Sequence, residues 1–192
     1  MRIYIITLLI IITSSCSRKG YPPQREEDVV PDEIINKNSR CVNLNKFSSS
    51  KRLKFYPFDK AKQIVLISFE SFEMNYSIPV KDKILNYENV KESLILNENQ
   101  INELTDLIYN VGYQNKDLPK IIEEGNCYEP RNGILFIDDN GNVFEYIEIC
   151  FQCGRRVISS EKIKDGVYCL NKFELYKQYF RKQGIKYGTE SE

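Results

Sequence analysis

Hydrophobic and polar residues alternate along this chain in two spacings, one typical of β-strands and the other of α-helices. Residues 64–69 form a nearly continuous apolar, β-branched run with the length of a strand. Further strand-like runs cover residues 93–96, 133–137, 143–151 and 155–159, and residues 76–80 are predicted to return as the partner of the first run. This pattern predicts a sheet of short, clustered strands.

The clearest helical signal begins at Asn97. An Asn side chain can cap the first turn of a helix, and Gln100 stands three residues later, which is the spacing of a capping box. The apolar face that follows consists of Ile101, Leu104, Ile108 and Val111. Gly112 is suited to ending this helix.

A second helix is predicted with the same signals near the C-terminus. Asn171 is the expected cap, Glu174 follows three residues later, and Gly184 is the expected end. Its aromatic face consists of Phe173, Tyr176 and Phe180.

Clustered strands followed by amphipathic helices indicate an α+β fold. We expect an antiparallel sheet with two amphipathic helices packed on one face. The order of strands, capped helix and glycine occurs twice. A degenerate repeat is one interpretation, but residue identity between the halves is weak and coincidence is favoured.

An Asp-Asp-Asn-Gly turn at residues 138–141 separates the runs 133–137 and 143–151. Asn and Gly tolerate the positive φ values of a hairpin turn. Both runs are apolar on both faces, so we predict that they are central strands. A turn centred on Asp139 and Asn140 places Cys127 opposite positions 152–154 of the neighbouring strand.

The N-terminus has the polarity pattern of an export signal. Arg2 precedes an apolar run of ten residues, which is shorter than the roughly 20 residues of a membrane-spanning helix. Small residues then lead to Cys16. We predict a lipoprotein signal peptide over residues 1–15, with Cys16 lipidated as the first residue of the mature chain. An ordinary secretory signal cleaved nearby, or an uncleaved anchor, is the alternative.

Residues 16–52 are predicted to form a flexible tether, and residues 53–192 a single α+β domain. The tether is polar, contains Pro22, Pro23 and Pro31, and has no sustained periodicity. A short stretch at Cys41 is the exception that can dock onto the domain.

Composition narrows the functional classes. The chain has no histidine, which excludes Ser-His-Asp and Cys-His catalysis and His-based zinc sites. Its 27 basic residues are scattered and balanced by 27 acidic ones, so we exclude nucleic-acid binding. No phosphate-cradling loop is present, and no cofactor is predicted. Catalysis by carboxylates, lysine or cysteine stays open, although an enzyme is less favoured.

Five cysteines remain if Cys16 carries lipid: Cys41, Cys127, Cys150, Cys153 and Cys169. An odd number leaves at least one thiol outside intramolecular disulfides. Structural disulfides are the favoured interpretation because export leads to an oxidising compartment. Two alternatives stay open. One is a zinc site formed by Cys127, Cys150, Cys153 and Cys169, and the other is redox chemistry at the Cys150–Cys153 pair.

Three arginines stand at the outer ends of the two central strands. Arg131 precedes the first strand, and Arg155 and Arg156 follow the second. Because a hairpin brings its outer ends together, these guanidinium groups are candidates for an anion site, with the carboxylates of Glu129 and Glu148 nearby. Ordinary salt bridges at a sheet end are the alternative.

Residues 127–138 (CYEPRNGILFID) and 146–153 (YIEICFQC) resemble a motif of small uncharacterised lipoproteins of Bacteroidota-type bacteria. Members of that group often carry His at the position of Asn132. The resemblance implies a cell-envelope lipoprotein and no particular activity.

These features predict a lipid-anchored protein of the cell envelope, on the periplasmic or outer-membrane side. We expect it to be non-enzymatic and to act through contact with another protein, for example as an immunity or inhibitor lipoprotein. The alternative is a small-ligand or thiol-dependent activity at the sheet end near Cys127, Cys150 and Cys153.

Overall fold

The computed structural model describes residues 30–70, 77–122 and 124–190. The predicted signal peptide and Cys16 lie outside these residues. The described helices are α1 (Asp32–Ser39), α2 (Ser49–Arg52), α3 (Glu98–Tyr109) and α4 (Lys172–Lys182). The described strands are β1 (Val42–Asn43), β2 (Gln63–Phe69), β3 (Val80–Lys81), β4 (Ile84–Leu85), β5 (Val90–Ile95), β6 (Val111–Gly112), β7 (Asn132–Ile137), β8 (Val143–Cys150) and β9 (Arg155–Ile158).

A five-stranded antiparallel sheet with the order β5-β2-β7-β8-β9 forms the centre of the protein. The α+β prediction is therefore confirmed, and β7 and β8 are internal strands as expected. Ile134 pairs with Ile147 across the predicted turn. The pairs β1–β6 and β3–β4 form two smaller sheets.

Helices α3 and α4 pack on the same face of the sheet. The sheet contributes Leu66, Ile134, Phe136, Ile147 and Ile149 to this core, and the helices contribute Leu104, Ile108, Tyr176 and Phe180. Burial of this apolar surface stabilises the fold by about 25 cal/mol per Å².

A second, smaller core lies on the opposite face. It contains Val65, Ile67 and Leu135 of the sheet, together with Ile78 and Leu85 from the hairpin segment 77–85. The central strands are thus covered on both faces, which explains their continuous apolar runs.

The prediction that residues 76–80 pair with the first strand is wrong for the described residues 77–80. Val80 pairs with Leu85 in the β3–β4 hairpin, and β2 pairs with β5 and β7 instead. A short apolar run specifies burial but not the partner strand, because tertiary packing decides the pairing.

The tether prediction is wrong for residues 30–52, and residues 16–29 lie outside the described residues. Strand β1 pairs with β6, and a disulfide joins Cys41 to Cys169 across a sequence separation of 128 residues. This segment folds onto the domain through a covalent bond and polar contacts, so its sequence needs no apolar periodicity.

Asn38 provides the main polar contact of α1. Its Nδ2 donates to the carbonyls of Asn115, Leu118 and Pro119 at 3.0–3.2 Å, and its Oδ1 accepts from the backbone N–H of Asn115. These bonds give partners to backbone polar groups of the loop 115–119. They also explain why the polar helix α1 is held against the domain.

The capping box of α3 is confirmed. The side chain of Asn97 accepts from the backbone N–H of Gln100 at 3.0 Å, and the Gln100 side chain accepts from the backbone N–H of Asn97 at 2.8 Å. Asn171 is the N-cap residue of α4, as expected, but the predicted capping hydrogen bond from its side chain is not formed. Helix α3 ends at Tyr109, before Gly112.

A fully buried lysine joins α4 to the carboxyl end of α3. The Nζ of Lys172 donates to the carbonyls of Leu107, Ile108 and Val111. Burial lowers the pKa of Lys172 to about 7, and the carboxylate of Asp165 acts in the opposite direction. This side chain satisfies helix-end carbonyls that the helix itself leaves without partners.

Within the described residues, no helix is both long enough and apolar enough to cross a membrane.

Candidate functional site

A disulfide lies at the end of the sheet where the hairpin register places Cys127 and Cys153 close together. Cys127 and Cys153 are bonded, with their Cα atoms 5.5 Å apart. Cys153 is one of the positions expected opposite Cys127, so this pairing is confirmed. With the Cys41–Cys169 bond, the structure supports the interpretation of structural disulfides.

Cys150 is the free cysteine of the described chain. Its buried thiol donates to the carbonyl of Glu129, with an Sγ···O distance of 3.3 Å. Cys153 is bonded to Cys127, so the redox pair proposed for Cys150 and Cys153 is not formed.

The zinc alternative is also contradicted. Three of its four expected ligands, Cys127, Cys153 and Cys169, are in disulfides. Within the described ranges, no three His, Cys, Asp or Glu side chains are grouped so that they could hold a metal ion.

A buried carboxyl group lies two residues before Cys150 on the same strand. Glu148 accepts hydrogen bonds from the hydroxyl of Tyr128 and from the backbone N–H of Ile78. Burial raises the pKa of Glu148 above its usual range although both bonds favour the carboxylate. Through Ile78, this group holds the 77–85 segment against the second face of the sheet.

The three predicted anion-binding arginines have different partners in the structure. Arg131 forms an ion pair with Glu129 at 3.1 Å. The guanidinium of Arg155 lies 5.9 Å from the ring of Tyr128, whereas Arg156 lies 3.9 Å from the ring of Tyr168 and pairs with Asp165. Arg155 and Arg156 are consecutive in a strand, so their side chains point to opposite faces.

The structure forms a different site, which we call the aromatic groove. It is lined by side chains from residues 46–55, by Tyr109 and by the loop 164–167, and its volume is about 500 Å³. The size is within the usual range of ligand-binding clefts.

Aromatic rings form one wall of the aromatic groove. The rings of Phe47 and Phe55 meet edge to face, with centroids 5.1 Å apart, and Phe55 meets Tyr109 at 4.8 Å. Both phenylalanines are only half-buried, so part of each ring faces the opening. Val167 supplies apolar surface from the opposite side and is 37 % exposed.

Positive charge surrounds the aromatic groove. Lys46, Lys51 and Lys164 line it and are exposed, and within the described residues none of them forms a salt bridge. The one lining carboxylate, Asp165, is already paired with Arg156. The groove is therefore apolar at its wall and cationic at its rim.

The wall formed by residues 46–55 is held rigidly by polar bonds. The amide of Asn110 bonds both backbone groups of Phe47, at 2.8 and 2.9 Å. The buried guanidinium of Arg52 donates to the carbonyl of Phe47 at 2.7 Å and pairs with Asp106 of α3 at 3.3 Å. These bonds fix the backbone of this wall from within the chain.

Gly166 brings the loop 164–167 against α3. Its φ is +81°, and a Cβ at this position would lie 1.8 Å from the carbonyl oxygen of Ile108. Only glycine permits this approach, which positions Lys164 and Val167 opposite the aromatic wall.

Tyr109 lies at the base of the aromatic groove and is 9 % exposed. Its hydroxyl is buried and has no hydrogen-bond partner among the described residues. Burial raises the pKa of Tyr109, so the hydroxyl keeps its proton and can donate. A buried hydroxyl without a partner costs roughly 1–3 kcal/mol, and because this oxygen is itself buried it lies beneath the surface of the groove.

The aromatic groove is not predictable from periodicity, because residues 46–52 have no sustained periodicity and therefore resemble a tether. Cys41 was the available signal, since a disulfide to the domain would bring the following residues back to its surface.

No protein-family model, no curated protein and no solved structure matched this chain in the comparisons.

Proposed function

We propose that this protein is a non-catalytic lipoprotein of the cell envelope that acts through contact with another protein. An immunity or inhibitor protein is one concrete form of this function. The aromatic groove carries the proposal, because it is a concave surface whose wall contains the half-buried rings of Phe47 and Phe55. In protein interfaces a few side chains that fill such pockets commonly carry most of the binding energy.

The proposed location depends on the N-terminal sequence. The signal pattern before Cys16 and the resemblance of residues 127–153 to envelope lipoproteins support a lipid anchor. The two disulfides are consistent with this location because such bonds persist in oxidising compartments.

Photo-crosslinking in the cells that naturally produce the protein tests the contact function. A photo-reactive amino acid replaces Lys164 at the groove, and a matched control replaces Lys186, which is exposed and outside the groove. We expect a defined protein adduct from position 164 that the added substitutions Lys46→Glu and Lys51→Glu abolish. Equal adducts at both positions, or none at position 164, would refute contact through this groove.

The intact mass of the protein from native membranes tests the anchor separately. We expect a chain that begins at Cys16 and carries lipid, and Cys16→Ser should remove the lipid. A mature chain without lipid would refute the anchor and leave the contact function standing.

The geometry does not favour the thiol-dependent alternative. Of the three cysteines at the sheet end, two are joined in a disulfide and the thiol of Cys150 is buried.

A further inference from the structure

We propose that the aromatic groove binds an aromatic side chain flanked by carboxylates on a segment of the partner protein. This inference rests on the proposed contact function and specifies the chemistry of the partner.

The aromatic wall selects a ring. Phe47 and Phe55 leave ring surface exposed at the opening, and a third aromatic ring can meet them edge to face. Such contacts stabilise binding beyond the effect of area burial. The volume of about 500 Å³ accommodates an aromatic side chain and atoms of its neighbours.

The rim selects negative charge beside that ring. Lys46, Lys51 and Lys164 are not paired with any carboxylate in the described structure, and Asp165 is neutralised by Arg156. Carboxylates next to the aromatic residue would meet these ammonium groups, whereas basic neighbours would be repelled.

A protein segment fits better than an anionic membrane surface. The phenylalanine rings are half-buried in a concave wall held by Arg52 and Asn110, and do not protrude as rings that insert into lipid do. The lysines surround this concavity, which matches a discrete side chain more closely than a flat layer of headgroups.

Fluorescence anisotropy with the purified full chain in a zwitterionic detergent tests the inference. The probe is a labelled peptide, acetyl-Asp-Glu-Phe-Glu-Asp-amide. Three comparison peptides carry Ala for Phe, amides for the four carboxylates, or Lys for all four acids. We expect the probe to bind at least about tenfold more tightly than each comparison peptide, and binding should weaken as salt rises.

Protein variants locate the binding. The double variant Lys51→Glu/Lys164→Glu should weaken binding by about tenfold or more, whereas Lys54→Glu, an exposed residue of the same segment outside the groove, should have little effect.

Equal binding of the neutral peptide, or an equal effect of Lys54→Glu, would overturn the inference. Anionic phosphatidylglycerol vesicles that displace the peptide and bind through the same lysines would favour a membrane surface instead. If the partner crosslinked from position 164 is captured equally well with Lys46→Glu/Lys51→Glu added, this inference fails and the contact function stands. If the peptide binds in the groove and no partner is crosslinked in cells, the contact function fails instead.

Discussion

Single buried polar residues hold much of this structure together, and Lys172 is the clearest case. Lys172→Met would remove the ammonium donor from the carbonyls of Leu107 and Ile108 in α3 and of Val111 just beyond it. We expect the free energy of unfolding to fall by about 2–4 kcal/mol, measured by urea unfolding. Lys182→Met is the control on the same helix, because Lys182 forms only an exposed ion pair with Glu103, and we expect a loss of about 0.2–1 kcal/mol. Equal losses would show that the buried ammonium is not the cause.

Glu148 predicts a pH dependence of stability. Burial raises its pKa in the folded protein, so the folded state binds the proton more tightly than the unfolded chain. The resulting stabilisation is fully present below the unfolded pKa of about 4.3, and it is lost as pH rises through the folded pKa. The stability of the wild type relative to Glu148→Gln should therefore decrease as pH increases from 4.

Urea unfolding of both proteins at several pH values measures this difference. Glu174→Gln on the exposed face of α4 is the control, and its difference from the wild type should vary less over the same interval. A constant difference for Glu148→Gln would contradict the assigned cause.

At the level of elements, helices α3 and α4 have the same N-cap residue in sequence but different N-terminal hydrogen bonds. Asn97 forms a complete capping box, whereas the Asn171 side chain makes no capping bond. We expect Asn97→Ala to lower the free energy of unfolding by about 1 kcal/mol, and Asn171→Ala to change it by only a few tenths. Thermal or urea unfolding of the two variants checks this, and a larger loss for Asn171→Ala would contradict it.

The Cys41–Cys169 bond attaches the N-terminal segment to the start of α4. It closes a loop of 128 residues, against 26 for Cys127–Cys153. In the chain-entropy model, loss of the longer loop costs about 1.4 kcal/mol more than loss of the shorter one. Unfolding of the paired Cys→Ser variants measures this difference.

Hydrogen exchange separates the local effects of the two bonds. Removal of Cys41–Cys169 should speed exchange over residues 42–52, where one wall of the aromatic groove lies, and removal of Cys127–Cys153 should not. Unchanged exchange in that segment would show that its polar contacts suffice to hold it.

At the level of the whole molecule, the disulfide set predicts a thiol count. With Cys16 lipidated, the chain should show no reactive thiol when folded, one after unfolding without reductant, and five after reduction. Titration with a thiol reagent gives these numbers. A thiol that reacts in the folded protein would contradict the burial of Cys150 and would support the alternative of a thiol-dependent activity.

Local signals predicted the central sheet, its hairpin and the helices α3 and α4, but not α1 or α2. The turn at residues 138–141 sets the register that places Cys127 near Cys153, because strand pairing across a short turn is a local property. An equally local property separates Arg155 from Arg156, since consecutive strand residues face opposite sides.

The sequence by itself determined the α+β class, the positions of α3 and α4 and the register that puts Cys127 opposite positions 152–154, because periodicity, capping and hairpin register act over short separations. Only the tertiary structure decided that residues 30–52 belong to the domain and that they form a groove with Tyr109 and the loop at Gly166. Those contacts depend on a disulfide and on polar bonds between residues far apart in the chain, and such bonds leave no periodic pattern. The candidate site is therefore a product of long-range contacts.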